Sequence, residues 1–309
     1  MKNPKVELVT LREAAPLKEI DTLTFGAWGR DLTFQQYRAR EMIQRETAHC
    51  RRAFRTWGAV IGDDRVASCE TFALPFVYRG LRYVAWTIAN MFVPEPLRGR
   101  GYATALLKEL IARGRTERIS MLVLHANDST RMYEKLGFIP RPNYIARRTT
   151  PKEFVQWPAG VVPVDERSPL SQRSGNDIAF VVDEAITFWH RSPAHLYARA
   201  WDQRDIDISG ARLRGSHVLW TPEWRDSLLR LLYRSPAPPE VGPRLMTAAL
   251  VHAQRFSLAK VEWWTTTPDL AAEPFADVIV PNPHMPLAMS LDAEIPVEAF
   301  TPHDRVLWA

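Results

Sequence analysis

Strand-like and helix-like spacings of apolar residues alternate along this chain, and their order predicts a mixed α/β architecture. Val6 to Leu11 reads as an opening strand, followed by a helical stretch from Ala14 to Phe25 that Ala27-Trp28-Gly29-Arg30 breaks. A second helix is predicted from Phe34 to about Glu46, capped by Asp31 or Thr33. Its Arg, Gln and Glu residues alternate with Phe34, Tyr37 and Met42, the pattern of a solvated helix with one apolar side. Ala53 to Ile61 and Arg65 to Ala73 are strand-like runs joined by Gly62-Asp63-Asp64, a hairpin signal. Tyr83 to Val93, rich in β-branched and aromatic residues, is the next strand. Ala103, Leu106, Leu107, Leu110 and Ile111 then recur at helical spacing, with Gly114 placed as a C-cap. Ile119 to His125 reads as a strand, and Asn127 to Phe138 as a short helix ending at Gly137.

Beyond Phe138 the pattern changes. Pro140, Pro142, Pro151, Pro158, Pro163 and Pro169 punctuate a stretch of little periodicity, and Ser168 to Asp177 is polar. A domain boundary is therefore expected here: residues 1–150 form one domain, 151–170 a Pro-rich linker, and 171–309 a second domain. In that second half Ile178 to Asp183 and His217 to Trp220 read as strands, with Gly210 to Gly215 turning between segments. Leu245, Ala248, Ala249, His252, Ala253 and Phe256 have helical spacing, and Lys260 to Thr265 reads as a strand. Asp226 to Tyr233 is ambiguous. If Leu228 to Tyr233 is a strand, the second half repeats the strand, loop, helix, strand order of residues 88–124.

Composition narrows the classes. With 309 residues, 46% of them hydrophobic, the chain suits two packed domains. No apolar run is long enough to cross a bilayer, and Met1-Lys-Asn-Pro-Lys is not followed by the apolar segment of a signal peptide, so a cytoplasmic protein without membrane partners is expected. Cys50 and Cys69 cannot build a disulfide framework and are expected to be reduced. The formal charge of +5 arises from arginines interleaved with acids rather than gathered on a face. That argues against nucleic acid as a partner and for an anionic cofactor. The eight histidines are scattered without clustered Cys, Asp or Glu, so no metal is expected. Oligomeric state leaves no signal.

One stretch carries explicit chemistry. Arg98-Gly-Arg-Gly-Tyr-Ala103 lies where the Tyr83 to Val93 strand meets the N-terminus of the following helix. Helix-start N–H groups have no partner within the helix, and the aligned peptide dipoles place positive charge there. Gly99 and Gly101 let a phosphate approach the backbone, and Arg98 and Arg100 add full charges. A pyrophosphate fits; so, from this hexapeptide alone, does an ordinary glycine loop. Glu70, in Ser68-Cys-Glu-Thr71, is a carboxylate in the middle of a strand-like run. It binds a substrate ammonium, acts as a base, or points to solvent on an outer face, and pattern alone favours the last.

Together with the strand and short helix between Ile119 and Phe138, the glycine-arginine loop resembles the GNAT superfamily of N-acetyltransferases. Arg98-x-x-Gly101-x-Ala103 matches its pyrophosphate loop, and Tyr133-Glu-Lys-Leu-Gly-Phe138 its second motif, over residues 5–148. Trp28-Gly, Leu32-Thr-x-x-x-Tyr37-x-x-Arg40-Glu41, Trp57 and Ala67-Ser-Cys-Glu-Thr71 are similar to the fungal lysine N6-acetyltransferases, a branch with an added C-terminal domain. Ser192-Pro-x-His195-x-x-x-Arg199, Gly210-Ala211, Val218-Leu-Trp-Thr221 and Arg305-Val-Leu-Trp-Ala309 extend that likeness more loosely into the second half.

The resemblance implies an N-terminal GNAT fold followed by a degenerate GNAT-like domain that lacks the pyrophosphate loop and walls the acceptor cleft. It implies acetyl-CoA as cosubstrate, held by Arg98, Gly99, Arg100, Gly101, Tyr102 and Ala103, with its thioester carbonyl on the main-chain amides of Phe92 and Val93. Tyr133 is then the proton donor to the coenzyme A sulfur and Glu70 the base, with Glu95 and His125 as weaker candidates. Most members carry an asparagine seven residues before the tyrosine. Ala126 stands there in this chain, which weakens the role of Asn127 in holding the pantetheine arm. The implied acceptor is a small amine, foremost the N6 amine of free L-lysine, with a polyamine, an amine-bearing natural product or toxin, or a protein lysine as alternatives. A noncatalytic acyl-CoA-binding scaffold is the reading from another class.

Overall fold

The computed structural model describes residues 5–11, 14–127, 130–165, 178–201 and 207–302. They fall into two units: one runs to Arg141 and takes back His284–Phe300, and the other comprises Pro142–Pro283 with Thr301 and Pro302. Among the described residues no helix is long and apolar enough to cross a membrane. The matches proposed at Arg305 to Ala309 and the polar run Ser168 to Asp177 lie outside the described residues.

The first unit contains β1 (Glu7–Leu11), α1 (Ala14–Trp28), α2 (Phe34–Glu46), α3 (Ala48–Ala53), β2 (Phe54–Ile61), β3 (Asp64–Tyr78) and β4 (Leu81–Phe92). It continues with α4 (Tyr102–Thr116), β5 (Met121–Ala126), α5 (Arg131–Glu134) and β6 (Ile139–Pro140). The second holds β7 (Tyr144–Thr149), β8 (Val162–Val164), β9 (Ala179–Phe180), α6 (Glu184–Ala200), β10 (Gly210–Leu213), β11 (Ser216–Glu223), β12 (Leu228–Arg234), α7 (Gly242–Arg255), β13 (Lys260–Thr265) and β14 (Val278–Pro281). β15 (Met285–Ser290) returns to the first.

In the first unit the strands lie in the order β1-β2-β3-β4-β5-β15-β6. β4 and β5 are parallel and the other neighbours antiparallel. Strands β3 and β4 form a long hairpin closed by Arg79 and Gly80, both at positive φ, the twist that two-residue hairpin turns require. Helix α4 turns Ala105, Leu106, Leu107, Leu110 and Ile111 inward against Trp57, Trp86 and the sheet, so its 3.6-residue period seats the helix that follows the glycine loop. Gly114 is not the cap predicted for it. The helix runs on to Thr116, and a Cβ at Gly114 would stand 3.0 Å from a Leu291 methyl, so the glycine serves close packing. Leu110 is fully buried, and Leu110→Ala is expected to lower unfolding free energy by about 2–5 kcal/mol in urea denaturation.

The second unit orders its strands β14-β7-β13-β12-β11-β10-β8, with β12 and β13 parallel. Stretch 228–234 is thus a strand, and 210–213, read as part of a turn, pairs on both sides as β10. The strand, helix, strand order of β4, α4 and β5 recurs in β12, α7 and β13, and each sheet carries a register shift just before it. Where β12 and β13 part after Arg230 and Glu262, Arg234 pairs with Glu273, and Glu273 accepts a hydrogen bond from Trp263 Nε1 at 3.2 Å. Pro238 and Pro239 in the turn before α7 and Pro243 in its first turn donate nothing, and Arg244 is bonded to the Ala159 carbonyl.

The chain divides differently from the sequence-based expectation. Strand β7, inside the expected 1–150 domain, is hydrogen-bonded along its length to β13 in the second unit. Strand β15, inside the expected 171–309 domain, fills the place between β5 and β6 in the first. The expected linker 151–170 includes β8, which is paired with β10, and Trp157, whose Nε1 donates to Val161. Proline density signalled irregular backbone there, but the described part, residues 151–165, is tied to the second unit, with Val155 N–H donating to Gln254 Oε1 at 3.1 Å and Gln254 Nε2 donating to the carbonyls of Pro151 and Glu153.

Candidate active site

The site begins at a fault in the β3/β4 ladder. Ser68 pairs with Phe92 and Glu70 with Ala89, so two steps along β3 face three along β4. The extra residue is a β-bulge, and Asn90 adopts φ +49° to make it. On the other side the parallel β4/β5 ladder ends at Ile88 and Leu124, although β4 continues to Phe92 and β5 to Ala126. The two strands part just where Phe92 and Val93 lie.

Neighbouring residues at the bulge each touch one predicted residue. Asn90 Nδ2 donates to Glu70 Oε2 at 2.5 Å, and the hydroxyl of Tyr133 points to the sulfur of the next residue, Met91, at 3.9 Å. Tyr133 belongs to α5, which Gly137 at φ +96° closes with a bond from Phe138 N–H to the Tyr133 carbonyl. Its ring meets Phe138 edge-on. Burial, and then the neighbouring Cys69, raise its pKa, so the phenol stays protonated.

Glu70 is 5% exposed and does not face solvent. It opens onto a narrow cavity together with Thr24, Trp28, Tyr37, Glu41 and Arg45. Arg45 grips Asp21 with two hydrogen bonds of 2.8 and 3.1 Å and approaches Glu70 and Glu41 at 3.6 Å each. Arg40 pairs with Glu41 and covers the Tyr37 ring, and the Tyr37 hydroxyl meets Thr24 Oγ1 at 2.9 Å. Burial pushes the Glu70 carboxyl up, Arg45 opposes, and Glu41 adds to the rise, leaving it at about 7. Burial also works against the charge of Arg45, but the bonds to Asp21 and the charges of Glu70 and Glu41 more than offset it. Burial and Glu41 push Tyr37 up to about 12. Arg38 also approaches Asp21 at 3.9 Å, so three guanidiniums stand against the three carboxylates, and Glu41, Glu70 and Arg45 are the charged groups that line the cavity. Trp28 links it to the strand opening, its ring lying edge-on to Phe92 at 5.8 Å.

Beyond the opening, a short turn Glu95–Leu97 leads to exposed Arg98, Gly99 and Arg100. Gly99 and Gly101 take φ of +75° and +84°, and a Cβ at Gly99 would meet nothing within 4 Å. Gly101 is the N-cap of α4 and provides no side-chain partner, so the amides of Tyr102 and Ala103 begin the helix uncapped, with space over the loop that suits a phosphate. Arg98 Nε reaches back to the Val93 carbonyl at 3.2 Å. Asn127 is exposed at the end of β5 and accepts a hydrogen bond from His284 Nδ1 at 2.8 Å, while Ala126 before it is buried. Glu95 is exposed in the turn, outside the cavity lining, and His125 sits half-buried on β5. Cys50 and Cys69 are buried and unpaired, and burial holds both thiols protonated.

Sequence reasoning named Glu70, Tyr133 and the loop as candidates and did not single out Asp21, Glu41, Arg45 and Asn90, which the structure gathers around Glu70. A signal for α2 existed. Tyr37, Glu41 and Arg45 recur at i, i+4, i+8, a polar stripe turned inward, while Met42 and Ile43 are 53% and 46% exposed. The helix is inverted relative to an ordinary solvated one.

The first unit thus combines a bulge in the antiparallel β3/β4 pair, an opening between the parallel strands β4 and β5, and a glycine loop feeding the next helix, and residues 17–138 match the acetyltransferase (GNAT) family. Among curated proteins, a stretch of 112 residues is 32% identical to a lysine acetyltransferase of Yarrowia lipolytica, spanning 33% of this chain and 29% of that relative. The chain therefore matches under a third of that protein's length. Among solved structures, a GCN5-related N-acetyltransferase from Kribbella flavida aligns over 94% of this chain and 72% of its own, with a TM-score of 0.61 and 15% identity. A tandem GNAT protein from the clavulanic acid biosynthesis pathway aligns over 93% and 98%, with a TM-score of 0.52 and 11% identity. Both units thus have a GNAT-like fold.

Proposed function

We propose that this protein is an acetyl-CoA-dependent N-acetyltransferase that acetylates a small cationic amine, foremost the N6 amine of free L-lysine. One observation carries the reading: a buried carboxylate, Glu70, lies in a narrow cavity and is bonded to Asn90 of the β4 bulge, and the Tyr133 hydroxyl points to the next residue, Met91. Acetyl-CoA as substrate supplies a thioester. The amides of Gly99 to Ala103, with Arg98 and Arg100, hold its diphosphate, and Asn127 flanks the pantetheine channel. The Phe92 and Val93 amides, freed where the strands part, polarise its carbonyl.

An alkylammonium with a pKa near 10.4 is almost wholly charged at neutral pH and must lose a proton to attack. Glu70, poised near 7, takes it, directly or through a water. The amine nitrogen then bonds to the carbonyl carbon, the carbon–sulfur bond breaks with its electron pair going to sulfur, and the thiolate receives the proton of Tyr133. The second proton that nitrogen sheds on becoming an amide restores the phenol through water, and Glu70 passes its own proton to bulk solvent. No acyl-enzyme forms. Alignment of the two reactants does most of the work, as effective molarity can lower a barrier by up to about 7–11 kcal/mol.

Thiol release from acetyl-CoA, measured across lysine, ornithine, polyamines and a lysine peptide, tests the reading. Turnover restricted to free lysine is expected. Turnover with another amine replaces the acceptor, and cofactor binding without turnover overturns the assignment. Tyr133→Phe is expected to lower kcat about 10- to 100-fold with an unchanged KM for acetyl-CoA in the same assay. The lower part of the usual donor range applies because a thiolate of pKa near 8.5 is a tolerable leaving group without help.

A further inference from the structure

We infer that Asn90 is a positioning residue for the reaction, holding the Glu70 carboxylate in its reactive orientation from the bulge that opens the strands. This rests on the reading of Glu70 as the base. Glu70 and Asn90 lie on neighbouring strands, and their side chains meet only because the bulge gives β4 an extra residue there. Non-glycine residues seldom adopt φ near +50°, and Asn does so more readily than most because its short amide bonds locally. Here the amide reaches across to Glu70 instead, so one residue satisfies both the turn and the contact.

The chemistry of the pair suits a base that cycles. An ionised carboxylate accepts from Nδ2, and once Glu70 has taken the acceptor's proton its O–H donates to Oδ1 after a flip of the amide. Asn90 thus remains bonded in both states, which neither Asp nor Leu of similar size allows. The charged or acid-base active groups around Glu70 are Asp21 from α1, Tyr37, Glu41 and Arg45 from α2, Cys50 from α3 and Cys69 on its own strand, and the hydroxyls of Thr24, Thr56 and Ser68 share the cavity. Arg45 is committed to Asp21 by two short bonds and stands 3.6 Å from Glu70. Asn90 provides the direct, neutral contact, and its bond favours the ionised carboxylate.

Two substitutions that tolerate positive φ separate the side chain from the backbone. Asn90→Gly keeps the bulge and removes the amide; Asn90→Asp keeps the shape and sets a second carboxylate against Glu70. The measurement is the pH dependence of kcat/KM for lysine under saturating acetyl-CoA, with acetyl-CoA affinity determined by calorimetry. The acid limb is expected to move up by about half a pH unit in Asn90→Gly and by about one unit or more in Asn90→Asp, with acetyl-CoA affinity unchanged in both. Limbs that coincide with the parent's overturn the inference, and should Asn90→Asp not fold, Asn90→Gly decides alone. Glu70→Gln is assayed alongside. Its inactivity together with unmoved Asn90 limbs removes only the positioning role, whereas parental activity in Glu70→Gln removes the base and this inference with it.

Discussion

Glu70→Gln is expected to lower kcat/KM for the acceptor by about 10²- to 10⁴-fold at pH 8 while making the protein more stable there. Both effects come from the same burial. Glu70 keeps 5% of its surface, and Arg45, shared among three carboxylates, does not repay the desolvation, so the folded-state pKa rises from 4.5 to about 7. A carboxyl whose pKa is raised by folding favours the fold when protonated. That contribution is fully present below pH 4.5 and is lost as pH rises through 7. The amide cannot ionise, so the melting temperatures of variant and parent should separate between those limits, with the variant more stable at pH 8 by about 1–3 kcal/mol. Scanning calorimetry at pH 4.5 and 8 with a parallel rate assay checks both. A variant less stable at pH 8 would mean that Glu70 is held ionised by Arg45, and an unimpaired rate would remove it from the chemistry.

The second large effect is expected at the glycine loop. Gly101→Val should raise the dissociation constant for acetyl-CoA about 100-fold or more, equivalent to about 2.7 kcal/mol, in isothermal calorimetry. Gly101 sits at φ +84° as the first cap of α4, its carbonyl accepting from Ala105 N–H at 3.0 Å. A β-branched side chain has no comfortable conformation there, so the backbone must turn and the amides of Tyr102 and Ala103 lose their common direction. Charge-assisted bonds from such amides contribute about 1.5–3 kcal/mol each, so misdirecting two of them exceeds the stated loss. Leu106, Leu107 and Leu110 anchor the helix beyond the first turn, so the melting temperature should fall only slightly. Unchanged affinity would show that the diphosphate is held elsewhere.

What the sequence revealed depended on whether the information was local. Helix α4 and its loop were legible because periodicity, glycine and arginine all lie within one short segment. Thr33 was legible as a cap for the same reason, and it closes a capping box with Gln36. Glu70 was not decided by pattern. In a strand where Val66 to Phe72 are buried on both faces, alternation carries no side, and only the packing of α2 over β3 settled where its carboxylate lies. The inward polar stripe of α2 was misread because an amphipathic helix is assumed to bury its apolar residues, and this one buries its charges against a pocket. Helix α6 went unrecognised because Pro193 lies within it, although Asp183 caps it in the usual way. The exchange of β7 and β15 between the units was illegible because pairing with partners far away along the chain, such as Lys260 with Thr149 and Met285 with Ala126, leaves no trace in local spacing.

That exchange bears on how the catalytic half is assembled. Leu287, Ala288 and Met289 fill the slot between β5 and β6, so the sheet holding the bulge is completed only by residues made after Pro142–Pro283 of the second unit. On the ribosome, the β5 edge must wait through the synthesis of roughly 150 more residues before its neighbour emerges, and release of a shorter chain leaves hydrophobic backbone open to any passing strand. Folding of the first unit is thereby tied to synthesis of Pro142–Pro283, a built-in check that no fragment ending before β15 can pass.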